Sequence, residues 1–298
     1  MPSSEHEDIV AMMGGGLALQ ELSLMEQRAM MNASASMFPT APGLRTESVD
    51  ADGVPADWLT FEASARDRAI LYLHGGAYVT GSRDSHRGLA SRVALAAGAP
   101  VLLAEYRLAP EAPFPAAVED AVTSWRWLLQ QGVPARSMAI AGDSAGGGLA
   151  LATLLALKDA GLPQPGCAVA LSPWTDLAAR GPTAVPGAVD DPMLTLAGLT
   201  ESAAHYAPGD LLNPLASPLH GDLRGLPPLL LQVGTREILL SDSTRFARRA
   251  EAAGVDVTLD VEEGLIHVWQ SFPDLPESRR SLERIGAFVR DRCAPPRA

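Results

Sequence analysis

Cysteine is scarce in this chain, because only Cys167 and Cys293 occur among its 298 residues. Two cysteines so far apart in sequence do not form the dense framework of a disulfide-stabilised secreted domain. They also lack the ligand spacing of a zinc site. We therefore expect a protein of the reducing cytoplasm that works without a metal or another cofactor.

Positive charge is also in short supply. The chain has 23 Lys and Arg against 35 Asp and Glu, which leaves a formal net charge of -12. No cluster of Lys or Arg interrupts this acidic balance, so nucleic acid and anionic membrane surfaces are excluded as expected partners. No apolar run reaches the roughly 18 residues of a membrane span. The acidic N-terminus does not resemble a secretory signal, which carries positive charge before its apolar stretch.

Apolar residues, in contrast, make up 47% of the chain, enough for a large core. From about residue 68, short β-rich runs alternate with helical patterns, which predicts an α/β fold with a mostly parallel central sheet flanked by helices on both faces. Residues 44–63 carry two earlier runs that we expect to be antiparallel edge strands. The predicted strands are 68–73, 100–105, 137–141, 167–171, 228–233 and 256–261. The predicted helices are 84–97, 115–131, 147–160, 242–253 and 277–290.

The segment Gly-Asp-Ser-Ala-Gly at residues 142–146 lies between a predicted strand and a predicted helix. It fits the G-x-S-x-G pattern of a sharp turn that exposes a strained serine, here Ser144. A Cβ at either flanking glycine is expected to collide with the neighbouring strand and helix. The start of the helix adds backbone N–H donors and a positive dipole end. These features suit a nucleophile that generates an oxyanion.

Reactive residues also follow other strands of the predicted sheet, and the carboxyl ends of parallel strands gather at one edge. A serine hydroxyl needs a base, and an acid must orient that base. We predict His267 as the base and Glu237 as the acid, with Asp242 as the alternative acid or as a helix N-cap. His74 is expected to bond nearby backbone. The remaining histidines are expected to be solvated or packing residues: His6, His86, His205 and His220.

The glycine loop after the first parallel strand, at Gly75 and Gly76, can turn backbone N–H groups toward a substrate carbonyl. With the N–H of Ala145 it supplies three predicted oxyanion donors. The order serine, acid, histidine along the chain is that of α/β-hydrolases.

With these residues in place, the chain resembles the bacterial hormone-sensitive lipase family of α/β-hydrolases. The matching motifs are His-Gly-Gly at 74–76, Tyr-Arg-Leu-Ala-Pro-Glu at 106–111, Gly-Asp-Ser-Ala-Gly-Gly at 142–147, and His267. The resemblance implies a carboxylesterase with an α-helical cap and the catalytic roles given above. The Tyr-Arg-Leu-Ala-Pro-Glu run is expected to brace the glycine loop and the serine turn at 142–146. Two departures are Ala77, where the family has a third glycine, and Glu237, where it has Asp.

The domain prediction combines this resemblance with two segments that do not fit the strand–helix alternation. We expect residues 1–40 to be an N-terminal helical cap segment and 41–298 the catalytic domain, with 181–227 contributing a second cap segment. The segment 181–227 is rich in Pro and Gly and contains one predicted helix at 196–206. The N-terminal helical pattern rests on four residues, Ala18, Leu22, Met25 and Ala29.

The resulting hypothesis is a serine carboxylesterase for short- to medium-chain acyl esters. Amide and lactone hydrolysis stay open as alternatives, as does a binding protein on a hydrolase scaffold like the plant gibberellin receptor. A possible homodimer would pair through the strand at 256–261. Seven of nine methionines lie in the first 37 residues, and an adaptable, Met-lined acyl pocket is one interpretation of that concentration. Those methionines are Met1, Met12, Met13, Met25, Met30, Met31 and Met37.

Overall fold

The computed structural model describes residues 2–13 and 22–293. Its eight strands form one sheet with the order β1-β2-β4-β3-β5-β6-β7-β8. Their bounds are Arg45–Ala51 (β1), Val54–Thr60 (β2), Ala69–Leu73 (β3), Val101–Ala104 (β4), Met138–Asp143 (β5), Cys167–Leu171 (β6), Leu229–Gly234 (β7) and Val257–Glu262 (β8).

The sheet is parallel from β4 to β8, and only β1 and β2 run antiparallel to their neighbours. The chain crosses from β3 to β4 and back before β5, so the carboxyl ends of the six parallel strands lie at one edge. The predicted mostly parallel sheet is confirmed. Every predicted strand is present, with its ends within two residues of the prediction.

Helices cover both faces of the sheet, as predicted. Their bounds are Ser4–Met13 (α1), Leu24–Ala33 (α2), Arg83–Ala97 (α3), Ala116–Gln130 (α4), Ala145–Asp159 (α5), Leu196–Tyr206 (α6), Leu240–Ala252 (α7) and Pro276–Arg292 (α8). Apolar residues of α4, α5 and α7 form one core layer, and those of α3 and α8 form the other.

The alternation of side chains along β3 explains why the parallel strands appear in the sequence as continuous apolar runs. All five residues are buried. Leu71 and Leu73 join the core layer of α4 and α5, whereas Ile70 and Tyr72 join the layer of α3 and α8. A strand covered on both faces has no solvent side, so it needs no polar alternation.

The N-terminal segment differs from its prediction. Its described residues form two helices, α1 and α2, and of the predicted pattern Met25 and Ala29 lie in α2. Ala18 lies outside the described residues, and Leu22 precedes α2 without being helical. Ser23 caps α2 with a reciprocal pair of hydrogen bonds to Glu26, which explains why that helix begins where it does. The predicted helix at 196–206 is confirmed as α6.

The two cysteines, distant in sequence, are neighbours in the fold. Cys167 on β6 and Cys293 after α8 are both buried and free, with their Sγ atoms 3.5 Å apart. The α3–α8 layer brings the end of the chain back against the sheet, a proximity that sequence separation did not indicate. Within the described part of the chain, every helix is too short or too polar to cross a lipid bilayer.

Candidate active site

Ser144 stands at a sharp turn between β5 and α5. Its backbone has φ 55° and ψ -122°, a conformation that residues other than glycine rarely adopt. A Cβ on Gly142 would lie 2.3 Å from the carbonyl oxygen of Gly146, and one on Gly146 would lie 2.1 Å from that of Leu73. Both obstacles are backbone atoms that cannot move aside. The predicted steric need for glycine at both flanks is therefore confirmed.

The glycine loop lies directly against this turn. A Cβ on Gly75 would come within 3.2 Å of the Ser144 Cβ and within 2.3 Å of Asp143 Oδ2. Among the described residues, the backbone N–H groups of Gly75, Gly76 and Ala145 donate to no protein acceptor. The structure thus gathers three unpaired donors beside the serine, the arrangement an oxyanion site needs.

His74 supports the glycine loop through a hydrogen bond to its backbone, as expected. Its Nδ1 bonds the Gly75 carbonyl oxygen at 2.8 Å, and burial lowers its pKa to about 3, so the ring stays neutral. Tyr106 stacks on this ring at 4.2 Å and donates its hydroxyl to the His74 carbonyl at 2.7 Å. The predicted bracing of the glycine loop by the 106–111 run is confirmed. Ala77 itself adopts φ 54°, so this chain holds a left-handed conformation without the third glycine.

His267 and Glu237 form a buried pair, with His267 Nδ1 2.8 Å from Glu237 Oε2. The second carboxylate oxygen accepts the Ser172 hydroxyl at 2.8 Å and the Gly234 N–H at 2.6 Å. These bonds fix the carboxylate in one orientation and leave Nε2 of His267 as the ring nitrogen available to a substrate or nucleophile. Glu237 reaches the imidazole across the ends of neighbouring strands β7 and β8.

Two opposing effects act on the pKa of His267. Burial disfavours the charged ring, but the hydrogen bond and negative charge of Glu237 outweigh it, with a further contribution from Asp191 and Asp143. The pKa is therefore raised from its ordinary value of 6.5. A histidine stabilised in this way readily accepts a proton.

Asp242 takes neither of the two roles considered for it. Helix α7 begins at Leu240 with Leu239 as its N-cap, so Asp242 lies inside the first turn. Its Oδ2 accepts the N–H groups of Thr175 and Asp176, both at 2.8 Å, and ties α7 to the loop after β6. Burial raises the pKa of this carboxyl to about 7 despite those two bonds. Asp242 is a structural anchor for that loop.

A cavity of about 430 Å³ opens at this edge of the sheet, and Ser144 and His267 both line it. Helices α2 and α6 border the same cavity, as does the segment between α2 and β1. The apolar side chains that line it include Leu22, Leu24, Met31, Phe38, Val79, Leu89, Met193, Leu194, Leu199, Val268 and Phe272. Of the arm methionines, Met31 lines the cavity, whereas Met12, Met25 and Met37 are largely exposed.

Sequence reasoning misplaced His86, which was expected to be a solvated or packing residue. The ring lines the cavity, is 11% exposed, and lies 3.3 Å from Asp143 Oδ2 through its Nε2. Tyr72 donates its hydroxyl to the other oxygen of Asp143 at 2.8 Å. Burial works against the charge of Asp143, but His86 and Tyr72 outweigh it and keep its pKa below the usual value. Asp143 therefore anchors the serine turn to α3 and β3.

Ser172 was also missed, although the rule that found the other residues could have found it, because it follows directly after β6. Its hydroxyl links Glu237 to the His267 loop by accepting the N–H of Val268 at 3.2 Å.

The remaining histidines differ in their surroundings. His205 is half exposed and lines the cavity, His220 bonds Asp176 at 3.2 Å, and His6 is fully buried, in agreement with a packing residue. Within the described residues, no group of three or more His, Cys, Asp or Glu could hold a metal ion.

The chain is similar to known hydrolases over most of its length. A family model, Abhydrolase_3, described as an alpha/beta hydrolase fold, matches residues 70–271. An acetyl-hydrolase of Streptomyces hygroscopicus is 50% identical over 237 residues, which cover 79% of this chain and 79% of that protein.

Two solved structures extend the similarity to the whole fold. An esterase from the bacterial hormone-sensitive lipase family has 43% identity and a TM-score of 0.93, covering 99% of this chain and 100% of that one. A crystal structure of EstE5 soaked with p-nitrophenyl butyrate has 40% identity and a TM-score of 0.94, covering 98% and 100%.

Proposed function

Because this chain belongs to the bacterial hormone-sensitive lipase family of α/β-hydrolases and is a carboxylic ester hydrolase, we propose that it cleaves short- to medium-chain acyl esters of small molecules through an acyl-enzyme on Ser144. One observation carries the proposal. The strained Ser144 lines the same cavity as His267, whose Nδ1 is held by Glu237 at 2.8 Å.

In the first half of the reaction, Ser144 Oγ attacks the ester carbonyl while Nε2 of His267 takes the hydroxyl proton. Glu237 keeps the proton on Nδ1 and stabilises the imidazolium that forms. The tetrahedral intermediate then collapses, the C–O bond to the alcohol breaks, and His267 protonates the departing alkoxide. The acyl group remains bonded to Ser144.

In the second half, His267 removes a proton from water, and the resulting hydroxide equivalent attacks the acyl carbon. The intermediate expels Ser144 Oγ, which regains its proton from His267, and the carboxylic acid leaves. The N–H groups of Gly75, Gly76 and Ala145 donate to the oxyanion in both halves. Removing one such donor typically costs about 10²- to 10³-fold in rate.

The acyl preference is proposed from the shape and lining of the cavity. A volume of about 430 Å³ with a largely apolar wall accommodates a short to medium acyl chain. Met31 and Met193 give part of that wall flexible side chains, which favours tolerance of several lengths. The acetyl-hydrolase and the p-nitrophenyl butyrate soak among the similar proteins point to chains of the same range.

Residues 1–40 and 181–227 are proposed to act together as the cap, since α2 and α6 border the cavity from these two segments. Cytoplasmic residence belongs to the same proposal, because the buried pair Cys167 and Cys293 carries free thiols.

The test is hydrolysis of a p-nitrophenyl ester series from acetate to dodecanoate by the wild type and by Ser144→Ala. We expect a broad maximum among short to medium chains and a loss of at least about 10⁴-fold in kcat for the variant. Labelling by a p-nitrophenyl phosphonate should add one phosphonyl group per chain, at Ser144. Ester hydrolysis that survives in Ser144→Ala would reject the acyl-enzyme, and faster cleavage of an anilide or a lactone would reject the substrate class.

A further inference from the structure

Helix α1 lies against the loop that carries His267. The N–H and the hydroxyl of Ser3 both donate to the Glu277 carboxylate, at 2.8 and 2.9 Å. Ile9, Val10 and Met13 pack against a small cluster formed by Leu265, Ile266, Trp269 and Leu275. The first helix of the chain is therefore joined to the last part of the site, about 260 residues later.

A further polar contact lies within the apolar part of this interface. His6 is 0% exposed, and its Nε2 accepts the backbone N–H of Ile266 at 3.3 Å. Ile266 directly precedes His267. A ring nitrogen that accepts a hydrogen bond must be unprotonated, so the neutral ring carries its hydrogen on Nδ1.

The surroundings keep that ring neutral. Burial is the main influence and lowers the pKa of His6; Glu7 and Glu277 oppose it, and Arg236 adds to it. At neutral pH the ring is therefore an acceptor. Within the described part of the chain, Nδ1 has no hydrogen-bond partner, and the nearest carboxylate oxygen, on Glu7, is 4.0 Å away.

The rest of the His267 loop is held from the opposite side. The carbonyl of Leu265 accepts the N–H of Arg236 at 3.1 Å, and the N–H of Val268 donates to Ser172. The N–H of Gly264 donates to Thr235. These bonds tie the loop to the residues that follow β6 and β7, so the N–H of Ile266 is the one backbone donor between Gly264 and Val268 that α1 satisfies.

We propose that His6 is a positioning residue of the ester hydrolase, which acts through Ile266 to fix the position and orientation of the His267 ring. The inference rests on the proposed role of His267 as base. A loop held on one side by β7 and on the other by His6 keeps Nε2 of His267 at a constant distance from Ser144. Losing the acceptor leaves a buried N–H unpaired and frees the loop on that side.

The experiment compares three variants of the full-length protein. His6→Phe keeps a planar aromatic ring, of somewhat larger volume, and removes the acceptor, whereas His6→Gln keeps an acceptor that does not titrate. Val10→Ala is the matched control, because it reduces the packing of α1 on the same cluster without touching the hydrogen bond. All three are assayed with p-nitrophenyl butyrate, and amide hydrogen exchange is followed in the peptide containing Ile266.

We expect His6→Phe to lower kcat about tenfold with KM within about twofold, the size expected when a buried N–H loses its partner. Exchange at Ile266 should accelerate by a similar factor. His6→Gln should return both quantities to within about threefold of the wild type, and Val10→Ala should change neither by more than about threefold.

Wild-type kcat and wild-type exchange in His6→Phe would overturn the proposal. An equal loss in Val10→Ala would overturn it too, since packing alone would then explain the effect. If His6→Phe does not fold, a loss of Ile266 protection in His6→Gln counts against the acceptor role, and retained protection supports it. The exchange readout does not depend on catalysis, so a failure of the proposed ester chemistry would be seen separately in Ser144→Ala.

Discussion

The hydrogen bonds of Glu237 distinguish it from Asp242, the other candidate for the acid. It accepts hydrogen bonds from the Ser172 hydroxyl and the Gly234 N–H on one oxygen and faces His267 with the other. The Oδ2 atom of Asp242, five residues later, accepts two backbone N–H groups of the loop after β6. Two buried carboxylates on neighbouring turns thus differ in role because only one of them reaches the imidazole.

Replacing each carboxylate by its amide should separate these roles. Glu237→Gln should lower kcat by about 10³- to 10⁴-fold, because an amide N–H facing Nδ1 favours the wrong histidine tautomer. Asp242→Asn retains an oxygen for Thr175 and Asp176 and should leave kcat within about threefold of the wild type. Steady-state kinetics with p-nitrophenyl butyrate measures both. A fully active Glu237→Gln would remove Glu237 from the mechanism.

The raised pKa of His267 predicts the acid side of the pH–rate profile. His267 must be neutral to act as base, so kcat/KM should fall as the pH is lowered through a midpoint above the ordinary value of 6.5. In Glu237→Gln the favourable charge is gone, burial remains, and the midpoint should move to lower pH. The measurement is kcat/KM between pH 5 and 9 for both proteins. A midpoint that does not move would show that Glu237 does not set this pKa.

The turn between β5 and α5 depends on the close contact of backbone segments. Gly146 lies against the carbonyl oxygens of Leu73 and His74, and Asp143 fastens the turn to Tyr72 and His86. Helix α2 is joined to the same region, because Arg28 donates to the carbonyls of Val79 and Ala109 at 2.8 and 2.9 Å. Close backbone contacts and hydrogen bonds therefore connect the serine turn, the glycine loop and α2.

Gly146→Ala should destabilise the fold strongly. Its Cβ would lie 2.1 and 2.3 Å from two backbone carbonyl oxygens, so the free energy of unfolding should fall by about 3 kcal/mol or more. Gly98→Ala is the matched control. A Cβ there meets nothing within 4 Å, and only its φ of +62° is unfavourable, at about 1 kcal/mol. Urea denaturation followed by tryptophan fluorescence compares the two, and equal losses would contradict the steric argument.

The molecule presents two sheet edges of different character. Strand β1 is mostly exposed and carries charged Arg45, Glu47 and Asp50. Strand β8 carries Asp260 and Glu262, which are both paired with Arg284, and Val261 between them is 44% exposed. Charged residues on an edge strand discourage pairing with another chain, and apolar ones invite it. The homodimer considered from the sequence is therefore proposed to form through β8.

Val261→Lys should convert such a dimer into a monomer at micromolar concentration, because two copies would bring like charges together across the shared edge. Thr46→Lys, on exposed β1, is the control and should leave the dimer intact. Sedimentation velocity measures the state of both variants and the wild type. A monomeric wild type would reject the pairing.

Much of this protein was determined by local sequence alone. The apolar runs and helical periods predicted the strands and flanking helices, because burial on both faces leaves a continuous apolar signature. The serine turn was equally readable, since its two glycines meet a steric demand set within a few residues. His74, Ser144 and His267 were identified by their positions just after strands, whereas Tyr106 was indicated only by the resemblance to the family.

Only the tertiary structure decided the contacts made across large sequence separations. It selected Glu237 over Asp242, brought Cys167 to Cys293, and placed the buried ring of His6 and the partly buried ring of His86 beside the site. No local pattern encodes these contacts, because they depend on which strand ends converge and where the terminal helices dock. A histidine in an arm or a helix has the same sequence signature whether its ring meets water or a backbone N–H.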